Sequence, residues 1–275
     1  MRKQMIALVM AALLCLSACG SRTETPAEEE NGRDVLFQVS LLQGLTLGDY
    51  EGSITAGELR QRGDIGIGTF DRLNGEMIMV DGEIFRAAAD GSVEAVPDEE
   101  TIPFSNVTFF DADETEALSS VESFDALREV LNRKVQELGE NRFYMIRIDG
   151  TFKTMNVRSE YAQDEPYQPL ADVLEHDQTF FDYENIEGTV VGLYCPSYME
   201  DINAVGWHLH FVSKDRTKGG HVLGLSVDQA DLSWDLTDSF QMILPGGSAF
   251  QGFDLSADQS EDIKKVETTV QENDG

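Results

Sequence analysis

Residues 63–82 read GDIGIGTFDRLNGEMIMVDG, and the order of large, small and turn-forming residues in this stretch decides the fold. From residue 63 to residue 70 large and small residues alternate with the period of two that a strand imposes. Asn74-Gly75 and Asp81-Gly82 then bracket the apolar run Met77-Ile78-Met79-Val80, and Asp90-Gly91 follows soon after. Asn-Gly and Asp-Gly supply the positive φ angles of tight hairpin turns, so the stretch is predicted to be a β-meander. The glycines of residues 63–68 also suggest a dinucleotide-binding turn. That pattern fails because Asp71 stands in place of the third glycine and a hairpin, not a helix, follows.

Outward from this meander, residues 123–138 are the strongest helix. Ser123 is the N-cap, Phe124, Leu127, Val130, Leu131, Val135 and Leu138 keep one face apolar, and Gly139 sits where a terminating glycine belongs. Residues 143–158 read as a second hairpin turning at Asp149-Gly150, followed by a polar loop over 160–169 and a short helix over 170–176. Strands are predicted at 188–195, 206–213, 221–227 and 240–244, and the acidic tail after Asp254 holds a short helix around 262–266. Hairpins dominate and helices are few, so the class is α+β: two mainly antiparallel sheet halves, residues 35–160 and 161–275, with a few flanking helices.

The N-terminus reads as a processing segment. Arg2 and Lys3 precede a short apolar run, and residues 16–19 (LSAC) resemble the lipobox of bacterial lipoproteins. Residues 1–18 are then a signal peptide and Cys19 the lipidated residue. Residues 19–34, with the acidic GSRTETPAEEEN over 20–31, form a tether. The expected location is the extracytoplasmic face of a bacterial cell membrane, held by lipid alone. Of the three cysteines, Cys15 leaves with the signal and Cys19 is lipidated, so only Cys195 stays in the domain. That rules out an internal disulfide and a cysteine-based zinc site. The formal net charge of −31 excludes nucleic acid as a partner, because that requires a basic footprint, and also excludes docking on anionic lipid.

Three of the four histidines lie within fourteen residues. In residues 206–211 (GWHLHF) alternation puts His208 and His210 on one face of a strand and Trp207, Leu209 and Phe211 on the other. A polar turn, KDRTKGG over 214–220, leads to His221, which returns beside them if the two strands pair. Three convergent imidazoles with an open position suit a catalytic metal, and the residues alone leave zinc, copper, nickel and iron all open.

Several separated motifs together resemble the α-acetolactate decarboxylase family. GDIGIGT over 63–69 followed by LNGEM over 73–77 is similar to its N-terminal signature. GWHLHF over 206–211 with TKGGHVL over 217–223 is similar to its metal hairpin, and GTFK over 150–153 leading to Arg158 fits as well. The resemblance runs from about Val35 to Glu267. It implies that His208, His210 and His221 bind Zn2+, that Glu76, Arg158 and Glu267 are catalytic, and that Thr69 and Arg158 meet the substrate. It further implies decarboxylation of 2-acetolactate to acetoin, no organic cofactor because the substrate's ketone is its own electron sink, and a homodimer. Two other readings of the histidine hairpin stand beside it. One is a non-catalytic metal-binding surface lipoprotein, which has no use for Glu76 and Arg158 near the metal. The other is a zinc hydrolase, in which Glu76 activates water.

Overall fold

The alternation seen in residues 63–82 becomes part of a seven-stranded sheet. A computed structural model of the chain describes residues 34–247, 249–257, 259 and 263. Cys19, the signal segment and Glu267 lie outside the described residues. In chain order the elements are β1 (Val35–Val39), α1 (Leu42–Thr46), β2 (Ile54–Thr55), α2 (Ala56–Leu59), β3 (Ile65–Thr69), β4 (Glu76–Val80), β5 (Glu83–Ala87) and β6 (Val93–Ala95). There follow β7 (Thr101–Ile102), β8 (Ser105–Thr108), β9 (Glu114–Val121), α3 (Phe124–Leu138), β10 (Phe143–Glu160), α4 (Leu170–His176), β11 (Gln178–Cys195), β12 (Gly206–Ser213), β13 (Gly219–Thr237) and β14 (Ser239–Ile243).

The first sheet has the order β14-β1-β8-β3-β4-β5-β6, and the second β10-β11-β12-β13-β9 with β10 also pairing β13. The ladders are antiparallel except β1 with β14. The α+β class with mainly antiparallel sheets therefore holds. Because β10 bonds to both β11 and β13, the strands β10, β11, β12 and β13 close into a ring, which leaves β10 without a free edge.

Apolar alternation builds three layers. Ile67, Ile78, Val80 and Phe85 of the first sheet meet Met145, Val191, Leu193 and Val212 of the second. Met77, Met79 and Ile84 turn to the opposite face, against Leu59 of α2. The other side of the second sheet packs Leu209, Phe211 and Trp234 against Leu127, Leu131 and Val135 of α3. Ser123 caps α3 by accepting from Ala126 N–H at 3.1 Å, and Gly139 ends it at φ 121°, as the sequence predicts. Each such fully buried aliphatic side chain contributes roughly 1.5–3 kcal/mol relative to exposure.

Two expectations are corrected. Residues 143–158 form no hairpin: β10 runs straight through Asp149-Gly150, with Gly150 facing Gly188 on one side and Ala230 on the other. A Cβ at Gly150 would lie 2.3 Å from Gln229 O, so this glycine serves close approach between strands, not a turn. The sheets also do not divide at residue 160. The second sheet takes β9 and β10 from before that point, and β14 returns to pair with β1. Pairing with an open edge decides sheet membership here, not order along the chain.

Candidate metal centre and its cavity

The site lies in the layer between the sheets, and strand register assembles it. His208 and His210 stand on the face of β12 that also carries Val212, toward the first sheet, while Leu209 and Phe211 enter the opposite core. Ser213 organises the turn that follows: its hydroxyl accepts from Thr217 and Lys218 N–H and donates to Asp215. The chain reverses there, and His221 pairs directly with His210 on one side and with Arg158 of β10 on the other.

The three imidazoles turn nitrogens toward one another. His208 Nε2 is 2.9 Å from His210 Nε2 and 3.1 Å from His221 Nδ1, and one nitrogen of each ring lies within 4.8 Å of the others. All three rings are buried. Burial, with the nearby Arg158 charge, pushes the His208 pKa down to about 3. Burial first, then His208 and Arg158, hold His210 well below the usual imidazole range against the opposing Met77 carbonyl. Neutral rings are what metal ligation requires. His210 Nδ1 lies 2.9 Å from Met77 O. A carbonyl only accepts, so Nδ1 carries the proton and Nε2 presents its lone pair inward.

These residues fit a divalent transition metal. Nitrogens ~2.0–2.1 Å from a tetrahedral zinc stand ~3.3 Å apart, close to the two spacings from His208 Nε2. Burial pushes the Cys195 thiol up, so it is no thiolate at neutral pH.

The first sheet supplies the carboxylate. Glu76 opens β4 directly after Gly75, whose φ of 87° suits glycine. Its Oε2 lies 3.3 Å from His210 Nε2. Thr69 donates from Oγ1 to Gly75 O at 2.9 Å, pinning the connection that presents Glu76. The connection is longer than a two-residue hairpin, with a helical turn at Asp71–Leu73 and positive φ at Arg72 and Leu73. Thr69, Glu76, Arg158, His208 and His221 border one cavity, with Leu42, Leu45, Leu73, Phe104 and Leu170 as its apolar wall. Every proposed site residue that is described is thus gathered in one place.

Glu160 joins them and is the residue that sequence reasoning passed over. It is 3% exposed and lines the cavity, with Oε1 at 3.5 Å from Arg158 Nε. Its position two residues after Arg158 on a strand was the available signal. The apolar wall had none, because α1, the segment around Phe104, and α4 meet only in the folded chain.

Known proteins resemble this chain in sequence and in fold. The family model for alpha-acetolactate decarboxylase matches residues 36–257. The alpha-acetolactate decarboxylase of Methanosarcina mazei is 40% identical over 242 residues, covering 88% of this chain and 83% of that protein. That of Bacillus subtilis is 33% identical over 234 residues, covering 85% of this chain and 90% of its own. The crystal structure of the alpha-acetolactate decarboxylase from Bacillus subtilis strain 168 superposes with a TM-score of 0.82 at 32% identity, over 86% of this chain and 100% of that one. A Staphylococcus aureus protein described as similar to alpha-acetolactate decarboxylase gives 0.79 at 32% identity, over 84% and 99%. The match extends from β1 beyond β14 and contains the histidine hairpin, Glu76 and Arg158, so this chain belongs to the alpha-acetolactate decarboxylase family.

Proposed function

We propose that the chain is a zinc-dependent carboxy-lyase that converts 2-acetolactate to acetoin. The observation that carries this reading is the meeting of His208, His221, Glu76 and Arg158 at one cavity, with His210 against both His208 and Glu76, in a member of this family.

Acetolactate bears a carboxylate and a hydroxyl on one carbon and a ketone on the next. Its decarboxylation breaks the bond to the carboxylate carbon, sends that electron pair toward the ketone, and needs a proton at carbon to finish acetoin. His208, His210 and His221 would hold the zinc, which supplies a Lewis acid for the oxygen on which negative charge grows. Arg158 orients the carboxylate: its guanidinium is buried at the cavity wall, and Nη1 has no hydrogen-bond partner among the described residues. Glu76 delivers the proton, from a carboxyl group held in place by the Thr69–Gly75 contact. Thr69 borders the substrate as well as bracing that turn. The leucines and Phe104 keep water from the reacting carbon and receive the two methyl groups.

The test is a substrate panel given to the zinc-loaded chain: racemic acetolactate, simple esters and simple amides. Acetoin and carbon dioxide from acetolactate alone are expected. Hydrolysis of esters or amides without acetoin formation would replace this reading with a zinc hydrolase.

A further inference from the structure

Glu160 is a buried carboxylate that the reaction above leaves without a task. It follows Arg158 by two residues at the end of β10, so the two side chains share a face, and Ser159 between them turns away to donate to Ala87 O at 2.7 Å. Both residues border the cavity, and both are almost fully buried. The contact between them is an ion pair at 3.5 Å, not a hydrogen bond. Arg158 Nε and Nη1 and Glu160 Oε2 are each buried with no hydrogen-bond partner among the described residues. A carboxylate placed only to stabilise the fold is hydrogen-bonded when buried, because leaving it unsatisfied costs free energy. This pair is close enough to feel each other's charge and incompletely satisfied in hydrogen bonding.

Resting on the reading that Arg158 receives the substrate carboxylate, we propose that Glu160 sets the orientation and net charge of that guanidinium and so weakens its hold on the bound carboxylate. Glu160 lies at the Nε edge of the guanidinium, and Nη1 has no hydrogen-bond partner among the described residues. When substrate enters, two carboxylates share one guanidinium where little water reaches, and they repel each other. As the bond to the carboxylate carbon breaks, its electron pair moves toward the ketone and carbon dioxide leaves uncharged. The repulsion is relieved along the same coordinate. Glu160 therefore raises the bound ground state more than the transition state, and this shows as a higher KM together with a higher kcat. Without Glu160, the guanidinium would bind the carboxylate tightly and oppose its loss.

Glu160→Gln keeps the shape and removes the charge. In the zinc-loaded protein, KM for acetolactate is expected to fall about fivefold or more, with a comparable fall in kcat. The inhibition constant of 2-hydroxy-2-methylpropanoate, which has the carboxylate and hydroxyl but no ketone, is expected to fall with KM. Glu160→Asp draws the charge back by one methylene, and its constants should move the same way by a smaller factor, which keeps the test open if the Gln variant does not fold. An unchanged or raised inhibition constant in a folded variant overturns the proposal, as does a lower kcat with KM unchanged. Wild type assayed alongside separates the failures. If it makes acetoin and Glu160→Gln binds the hydroxy acid no better, only the role of Glu160 falls. If wild type makes no acetoin, the function on which the proposal rests falls with it.

Discussion

His210 uses its two ring nitrogens for different tasks, one fixed by the Met77 carbonyl and the other turned to His208 and to the Glu76 carboxylate. A backbone carbonyl of β4 thus orients a ring on β12, which ties the histidine cluster to the strand that begins with Glu76. The consequence is separable chemistry at neighbouring atoms. Glu76→Gln preserves the size and backbone of the residue while removing its proton. The variant is expected to bind zinc at the wild-type stoichiometry and to lose about 10²–10⁴-fold in kcat, measured by metal analysis and acetoin formation on one preparation. A near-normal rate in that variant would remove Glu76 from the reaction.

Elements rather than single residues explain where the sequence misled and where it did not. The alternation of GWHLHF and the capped apolar face of α3 are local patterns that their surroundings reinforce, so both were legible. Asp149-Gly150 is also a strong local pattern, but it sits in β10, which has ladders on both sides. Those ladders outweigh one dipeptide's preference for a turn. The candidate site divides the same way. His208, His210, His221, Glu76 and Arg158 stand beside turns or in i, i+2 pairs and were readable as chemistry. Glu160 resembled the start of a polar loop, because its burial comes from neighbours distant in sequence. Gly150→Ala tests the strand reading directly. A methyl group 2.3 Å from Gln229 O and 2.4 Å from Ala230 Cβ must push two strands apart, at a cost of about 2–4 kcal/mol. Urea unfolding that shows less than 1 kcal/mol of destabilisation would mean that the strands do not approach so closely.

Across the whole molecule the net charge of −31 bears on one buried carboxylate, on the strand that also carries His221. Asp235 on β13 is 2% exposed. Burial first, then the negative charges of Asp113, Asp34 and Asp111, push its pKa up to about 7, against a hydrogen bond from the Asp111 backbone. A carboxyl group whose pKa is raised on folding favours the fold at low pH. That advantage is complete below the unfolded pKa of about 3.9 and is lost as pH rises through the folded value. Asp235→Asn, which needs no charge, should therefore be more stable than wild type by about 2 kcal/mol at pH 8 and no more stable at pH 4. Denaturant melts at the two pH values check this, and an equal gain at both would exclude a protonation effect. The fold would then owe nothing to the protonation state of this one group.

On the proposed function, the histidine cluster between the two sheets holds the metal on which decarboxylation depends. The most direct measurement follows bound zinc and acetoin formation from acetolactate on the same sample, during removal of metal by a chelator and its return. Activity is expected to fall in proportion to zinc, reach background when the metal is gone, and recover fully at one zinc per chain. Full activity in metal-free protein, or a folded chain with one zinc bound at the three histidines and no acetoin, would contradict it.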